Sequence, residues 1–354
     1  MMVKQQYTVS FVTPAFLGDA EQNGAWRTPP FKALLRQWWR IAAAKDHDYS
    51  HERLRETEGR LFGNAWLKKP DGKLDASQSF VRLRLDTWRP GKLKIWPVKD
   101  PRLTEIKNPV GAHLYLGYGP LNNEKSKGTV LKMNASLQNG DSAQLRLMFP
   151  EKAQGDLIKT LCLIQKFGTL GGRSRNGWGS VDFNGITPQI SDNDLLQAVS
   201  LPFAQCLTLD WPHALGKDAN GLLLWETSLC KDWSDAMRAL GLIKIRFRTA
   251  LNFGTGFSLR HLLAYPVTKH DVREWDRRPP PARLANQLRF KVIRRGNGVV
   301  GMACHFPCAL PTSLLTRLSP QEQQLVSRKQ QETWETVHAV LDDRQNGMHR
   351  VEGV

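Results

Sequence analysis

Residues 168–180 read GTLGGRSRNGWGS, and the fold follows from what stands on either side of them. Before this run, Leu157, Ile158, Leu161, Ile164 and Phe167 recur at helical spacing. After it, residues 178–183 read as a strand. Five glycines let the backbone reach positive φ and approach another group closely. Arg173 and Arg175 set guanidinium forks beside those glycines, which suits phosphate. Gly171, Gly172, Gly177 and Gly179 are expected to shape the loop, with Arg173, Ser174 and Arg175 at its tip. The run does not end in Gly-Lys-Ser/Thr, so it is no P-loop. It lies between a helix and a strand, not after the strand that opens a βαβ unit, so it is no dinucleotide fingerprint. The bland reading is a flexible turn with solubilising charge, for which Trp178 and five glycines are unfavourable choices.

Working outward, residues 6–12 form a β-type run. Residues 80–85 alternate, with Val81, Leu83 and Leu85 on one face and Arg82 and Arg84 on the other. Residues 112–118 and 143–149 read as further strands. The order strand, helix, strands, helix, strand predicts an α+β ferredoxin-like sandwich with inserted loops. The polar stretch 184–201 marks a boundary, which divides the chain into residues 1–190 and 200–354. In the second part, residues 203–211 read as a strand and 233–240 as a short helix. Residues 243–247 and 288–293 read as strands alternating with Lys244, Arg246, Arg289 and Lys291. Ser319-Pro-Gln-Glu322 is a capping box that opens a helix to about residue 341. The second part thus looks like a weaker copy of the first. Residues 271–283, with Arg277, Arg278 and Pro279 to Pro281, read as a surface loop.

Residues 27–40 read RTPPFKALLRQWWR. Thr28 is placed to cap a helix and Pro29 to begin it. Lys32, Arg36 and Arg40 then share one face, opposite Leu34, Leu35, Trp38 and Ile41. No carboxylate lies between Arg27 and Arg40. The helix start adds partial positive charge, so the stripe suits the phosphates of a single strand. Trp39 lies nearer the cationic side, where it is available to stack on a base. Solvated surface charge is the bland alternative.

The composition agrees with a polyanion partner. Fifty Lys and Arg against 33 Asp and Glu leave a net charge of +17, which attracts nucleic acid or anionic membrane. No apolar run is long enough to span a bilayer, and residues 1–11 lack the apolar core of a signal peptide. The five Cys are sparse and odd in number. Cys304, His305 and Cys308 have no second ligand pair, so neither a disulfide framework nor a metal site is expected. A reducing cytoplasm is the expected compartment.

Together these segments resemble the RAMP superfamily of CRISPR effector subunits, and within it the large two-domain terminal subunit of the type III-B, or Cmr, complex. The matching residues are Thr13-Pro14 and Gly18, then Arg27, Lys32, Leu35-Arg36 and Trp38-Trp39-Arg40. Leu61-Phe62-Gly63, the run from Gly171 to Ser180 and, more thinly, Arg283-Leu-Ala-Asn286 continue the match. Pro30, Ala33 and Asn286-Gln287 depart from the family's Ser, Gly and Ser-Pro.

The resemblance implies tandem ferredoxin-like, RRM-like domains and no catalytic activity or cofactor. It implies guide RNA, target RNA and other RAMP subunits as partners, with a place near the 3′ end of the guide. Arg27, Lys32, Arg36, Trp39, Arg40, Gly171, Gly172, Arg173, Ser174, Arg175, Gly177 and Gly179 are the RNA-binding candidates. Two enzymatic alternatives stand beside this. Asp19 in the loop after the first strand is a candidate for target cleavage, and His47 or His51 for guide processing. A purely protein-holding scaffold is a third.

Overall fold

In the strand β1 (Met2–Phe11), Tyr7, Val9 and Phe11 point inward while Lys4 and Gln6 face water, the period of two of a half-buried strand. The structure, a computed structural model, describes residues 1–352 except 66, 69, 70, 107, 253, 255 and 278. Arg278 of the expected Arg/Pro loop therefore lies outside the described residues. After β1 come the helices α1 (Thr28–Ala42) and α2 (His51–Phe62), then β2 (Arg82–Leu85) and α3 (Ala112–Gly117). The strand β3 (Ser142–Pro150), α4 (Gln154–Phe167) and β4 (Val181–Asn184) complete the first half. The sheet order is β2-β3-β1-β4, antiparallel throughout. The apolar sides of α1 and α4 share one core with the inward residues of this sheet. This is the ferredoxin-like arrangement.

The second half repeats it. β5 (Leu224–Thr227), α5 (Trp233–Thr249), β6 (Leu288–Arg295), β7 (Gly298–His305), α6 (Pro320–Asp342) and β8 (Met348–Arg350) follow in the same order of strands and helices. Their sheet order, β6-β7-β5-β8, is the same permutation. The capping box forms as expected: Glu322 N–H donates to Ser319 Oγ, and Ser319 N–H to Glu322 Oε2 at 2.9 Å.

Four local expectations are corrected. Residues 112–118 are not a strand but α3, because Asp100 accepts the N–H groups of His113 and Leu114 at 2.8 and 2.9 Å. That cap comes from a distant residue and leaves no local sign. Residues 203–211 hold a short helix, Phe203–Cys206, instead of a strand. Residues 243–247 continue α5, which Asp232 caps by accepting from Ser234 and Asp235. Ile243, Ile245 and Phe247 are all buried, so a helix covered on several sides imitates a period of two. In β6, Arg289 and Lys291 are buried instead of facing water.

Those two cations lie at the seam between the halves. Lys291 Nζ donates to the carbonyls of Ile164 and Gln165 at 2.9 and 2.6 Å, and so closes the C-terminal end of α4. Arg289 stands over the Trp38 ring at 5.3 Å and the Phe306 ring at 5.7 Å. Burial pushes Lys291 down to about 7. Burial, then the neighbouring Arg175, pushes Arg289 down to about 9. Both folded values lie below the unfolded ones, so between about pH 7 and 10 the unfolded chain binds more protons. Stability is therefore expected to rise with pH across that window. Thermal melts at neutral and alkaline pH check this, and Lys291→Met should flatten the rise.

Candidate nucleic-acid interface

α1 starts without a side-chain cap, and Pro29 and Pro30 in its first turn carry no N–H. Its N-cap residue is Arg27, in an extended conformation with no side-chain cap, and no acid lies in the first turn. The expected cap, Thr28, is already inside the helix, and its buried Oγ1 has no partner among the described residues. Phe31, Leu34, Leu35, Trp38 and Trp39 are buried, which leaves Lys32, Arg36 and Arg40 on the outer side. Burial and then Arg36 lower the Lys32 pKa.

The stripe is not unopposed as expected. Glu58 on α2, itself 1% exposed, accepts from Arg36 Nε and from Arg40 Nε, with a further bond of 2.9 Å from Arg40 Nη2. Burial pulls the Glu58 carboxyl upward, but the bonds from Arg40 and Arg36 outweigh it and hold the carboxyl below its ordinary value. Two cations against one carboxylate leave a net positive charge. Trp39 is corrected more sharply. It is 2% exposed and meets Phe62 edge-on at 6.0 Å, so α2 covers the ring that was expected to stack on a base.

The glycine loop is held by the segment after β1. Gly179 N–H donates to Pro14 O, Gly172 N–H to Phe16 O, and Leu170 N–H to Gly179 O. Thr13 Oγ1 donates to Gly177 O at 2.8 Å and accepts from Ser180 N–H at 3.0 Å. The close approach that the glycines allow is thus to the protein's own backbone. Gly171, Gly177 and Gly179 all have positive φ. The N–H groups of Ser174, Asn176 and Gly177 also close turns within the loop.

The two arginines part ways. Arg175 is half-buried, its Nη1 donates to Asn286 O, and burial lowers its pKa. Its own carbonyl accepts from Phe290 N–H at 2.9 Å. It therefore ties the loop to the second half. Arg173 is exposed, with φ +57, and its Nε donates to Tyr118 O at 2.6 Å.

Around Arg173 the structure adds residues that the sequence reading missed. Lys244 Nζ donates to Asn176 Oδ1 at 2.7 Å and lies 5.8 Å from the Tyr115 ring centre. Arg248 Nη1 donates to Tyr115 OH at 2.8 Å. Burial first, then Arg248 and Arg173, hold Lys244 well below the usual lysine value. Among the described residues, no carboxylate is within ion-pair distance of Arg173, Lys244 or Arg248. Lys244 and Arg248 are four apart and share a face of α5. Reading residues 243–247 as a strand put Lys244 in a row with Arg246, left Arg248 outside it and hid the pair.

The remaining candidates have local partners. Asp19 Oδ1 accepts from Asn23 N–H at 2.7 Å and closes its own turn. His47 packs on Trp39 at 6.1 Å, and His51 stacks on Trp211 at 5.0 Å. Cys304 and Cys308 are buried free thiols, while His305 Nδ1 pairs with His338 Nε2 at 2.8 Å. Among the described residues, no helix is long and apolar enough to cross a membrane.

Comparison with known proteins gives one family: the profile of the RAMP superfamily matches residues 8–182. No curated protein sequence matches the chain. Among solved structures, apo Cmr1 from Pyrococcus furiosus is similar at 13% identity and a TM-score of 0.42, over 86% of this chain and 87% of that one. A chain of type III-B Cmr-beta bound to cognate target RNA is similar at 10% identity and a TM-score of 0.45, over 95% of this chain and 99% of that one.

Proposed function

The chain belongs to the RAMP superfamily through residues 8–182, and from that premise we propose that it is a non-catalytic, RNA-binding subunit of a type III CRISPR effector complex. Its partners in this reading are guide RNA, target RNA and other RAMP subunits, with contacts to the RNA backbone near the 3′ end of the guide. One observation carries the RNA-binding part. Arg173, Lys244 and Arg248 gather beside the glycine loop with no carboxylate among the described residues to pair them. Burial and the two arginines disfavour the charged form of Lys244, and a polyanion beside the three would relieve that repulsion. Arg27 and Lys32, at the acid-free start of α1 where the helix dipole is positive, add a second place for phosphate. Arg36, Arg40 and Arg175 take part through net charge, since each also holds the fold together.

The test is binding of labelled single-stranded RNA over a salt series. It compares wild type with a Lys32→Ala, Arg173→Ala, Arg248→Ala variant, which leaves Glu58 and Asn286 with their partners. Loss of three phosphate contacts should make the plot of log K against log salt shallower by about 2. Unchanged affinity and slope would remove these residues from the interface. A denaturing gel of the same samples reads cleavage, and specific cuts lost on Asp19→Ala or His51→Ala would make the protein a nuclease.

A further inference from the structure

The first sheet has one face packed on α1 and α4 and one face open. The register defines what stands on the open face. Lys4, Met148 and Arg82 form one row across β1, β3 and β2, and Gln6, Arg146 and Arg84 form the next. Arg84 and Arg146 are direct partners, which places like charges opposite each other, an unfavourable arrangement in a ladder. Arg146 Nε donates to Gln6 Oε1 at 2.8 Å. Lys4, Arg82, Arg84 and Arg146 are all exposed. Among the described residues no carboxylate lies within ion-pair distance of any of the four.

Just before β2 the chain bends, with the N–H groups of Phe80 and Val81 both donating to Leu61 O. Val81 is buried, whereas Phe80, two residues before Arg82, is 56% exposed. Basic residues on an edge strand guard against pairing with other chains. That explanation reaches Arg82, Arg84 and Lys4, since β1 meets β4 only from Thr8 to Phe11, but not Arg146 on β3, which is paired on both sides. An exposed ring at the end of a cationic track is the arrangement that holds single strands, with phosphates on the cations and a base on the ring. An acidic protein surface would satisfy the charges but leave Phe80 without a role.

We propose that the open face of the first sheet is a second binding surface for single-stranded RNA, with Arg82, Arg84, Arg146 and Lys4 on phosphates and Phe80 under a base. The inference stands on the sheet alone and does not require that α1 or the glycine loop touch RNA.

The test titrates labelled single-stranded RNA, over a salt series, into the full chain and three variants. The first carries Arg82→Ala, Arg84→Ala and Arg146→Ala, the second Phe80→Ala, and the third Lys32→Ala, Arg173→Ala and Arg248→Ala. Thermal melts confirm folding, which these exposed sheet residues should leave unchanged. The sheet variant is expected to bind at least about tenfold more weakly, with a slope shallower by about 2. Phe80→Ala is expected to weaken binding about tenfold at constant slope, since stacking releases no counterions. Unchanged affinity and slope in the sheet variant overturn the proposal, and if the third variant alone loses RNA the function proposed above still stands. Loss in the sheet variant alone supports the sheet surface and removes the loop. Absence of RNA binding by the wild type overturns both. Polyglutamate as a second probe, if it loses affinity for the sheet variant while RNA does not, assigns the face to an acidic protein and overturns the proposal.

Discussion

Gly179→Ala is expected to lower the melting temperature by about 10 °C, the effect of roughly 4 kcal/mol in a chain whose cooperative units are of this size. A Cβ at this position would sit 1.9 Å from Leu170 O. That oxygen belongs to the backbone and has no freedom to move aside. Leu170 N–H donates to Gly179 O, and Gly179 N–H to Pro14 O, so retreat in either direction breaks hydrogen bonds. The φ of +64 adds about 1–2 kcal/mol for any residue with a Cβ. Gly140→Ala is the control. Its φ is +83, but a Cβ there would meet nothing within 4 Å among the described residues. Only the conformational cost remains, so its melting temperature should fall by a few degrees. Equal melting of the two variants would show that the close approach at Leu170 does not matter.

Glu58→Ala is expected to move stability and RNA affinity in opposite directions. Removing one partner of a buried ion pair costs about 3–5 kcal/mol because the other charge is left uncompensated. Here the low end applies, since Arg36 and Arg40 keep 24% and 37% of their side chains in water. The same change frees two guanidiniums that face outward from α1. Affinity for single-stranded RNA should rise several-fold, with a steeper salt dependence. Denaturant unfolding and the salt titration read the two effects separately. A stable variant would contradict the burial argument, and a fall in affinity in a folded variant would remove Arg36 and Arg40 from the phosphate path. Because the folded carboxyl lies below its ordinary value, its contribution is present above the unfolded pKa and is lost as pH falls through the folded one.

The helices α1, α4 and α6 were legible in the sequence because their signals are local: apolar residues at helical spacing, Pro near the start, and Ser319 with Glu322 in one box. α3 was not, because its cap is Asp100. The end of α5 was not, because burial on several sides erased the polar face that marks a helix. The site divides in the same way. Arg173 and the positive-φ glycines could be read from residues 168–180 alone. That the loop's N–H groups face Pro14 and Phe16, that Glu58 meets the α1 cations, and that α2 covers Trp39 are all tertiary facts. Lys291 gave the opposite impression from its true place, because alternation in a strand does not say which faces are covered.

The pairing of β1 with β3 joins residues 2–10 to residues 142–150. During synthesis at about 5–20 residues per second, β1 leaves the ribosome on the order of ten seconds before its partner exists. For that interval Tyr7, Val9 and Phe11 lie on an unpaired strand. Of the residues on its other face, Lys4 sets a charge against joining a neighbouring chain. The register thus places a time limit on the nascent protein as well as a shape on the finished one.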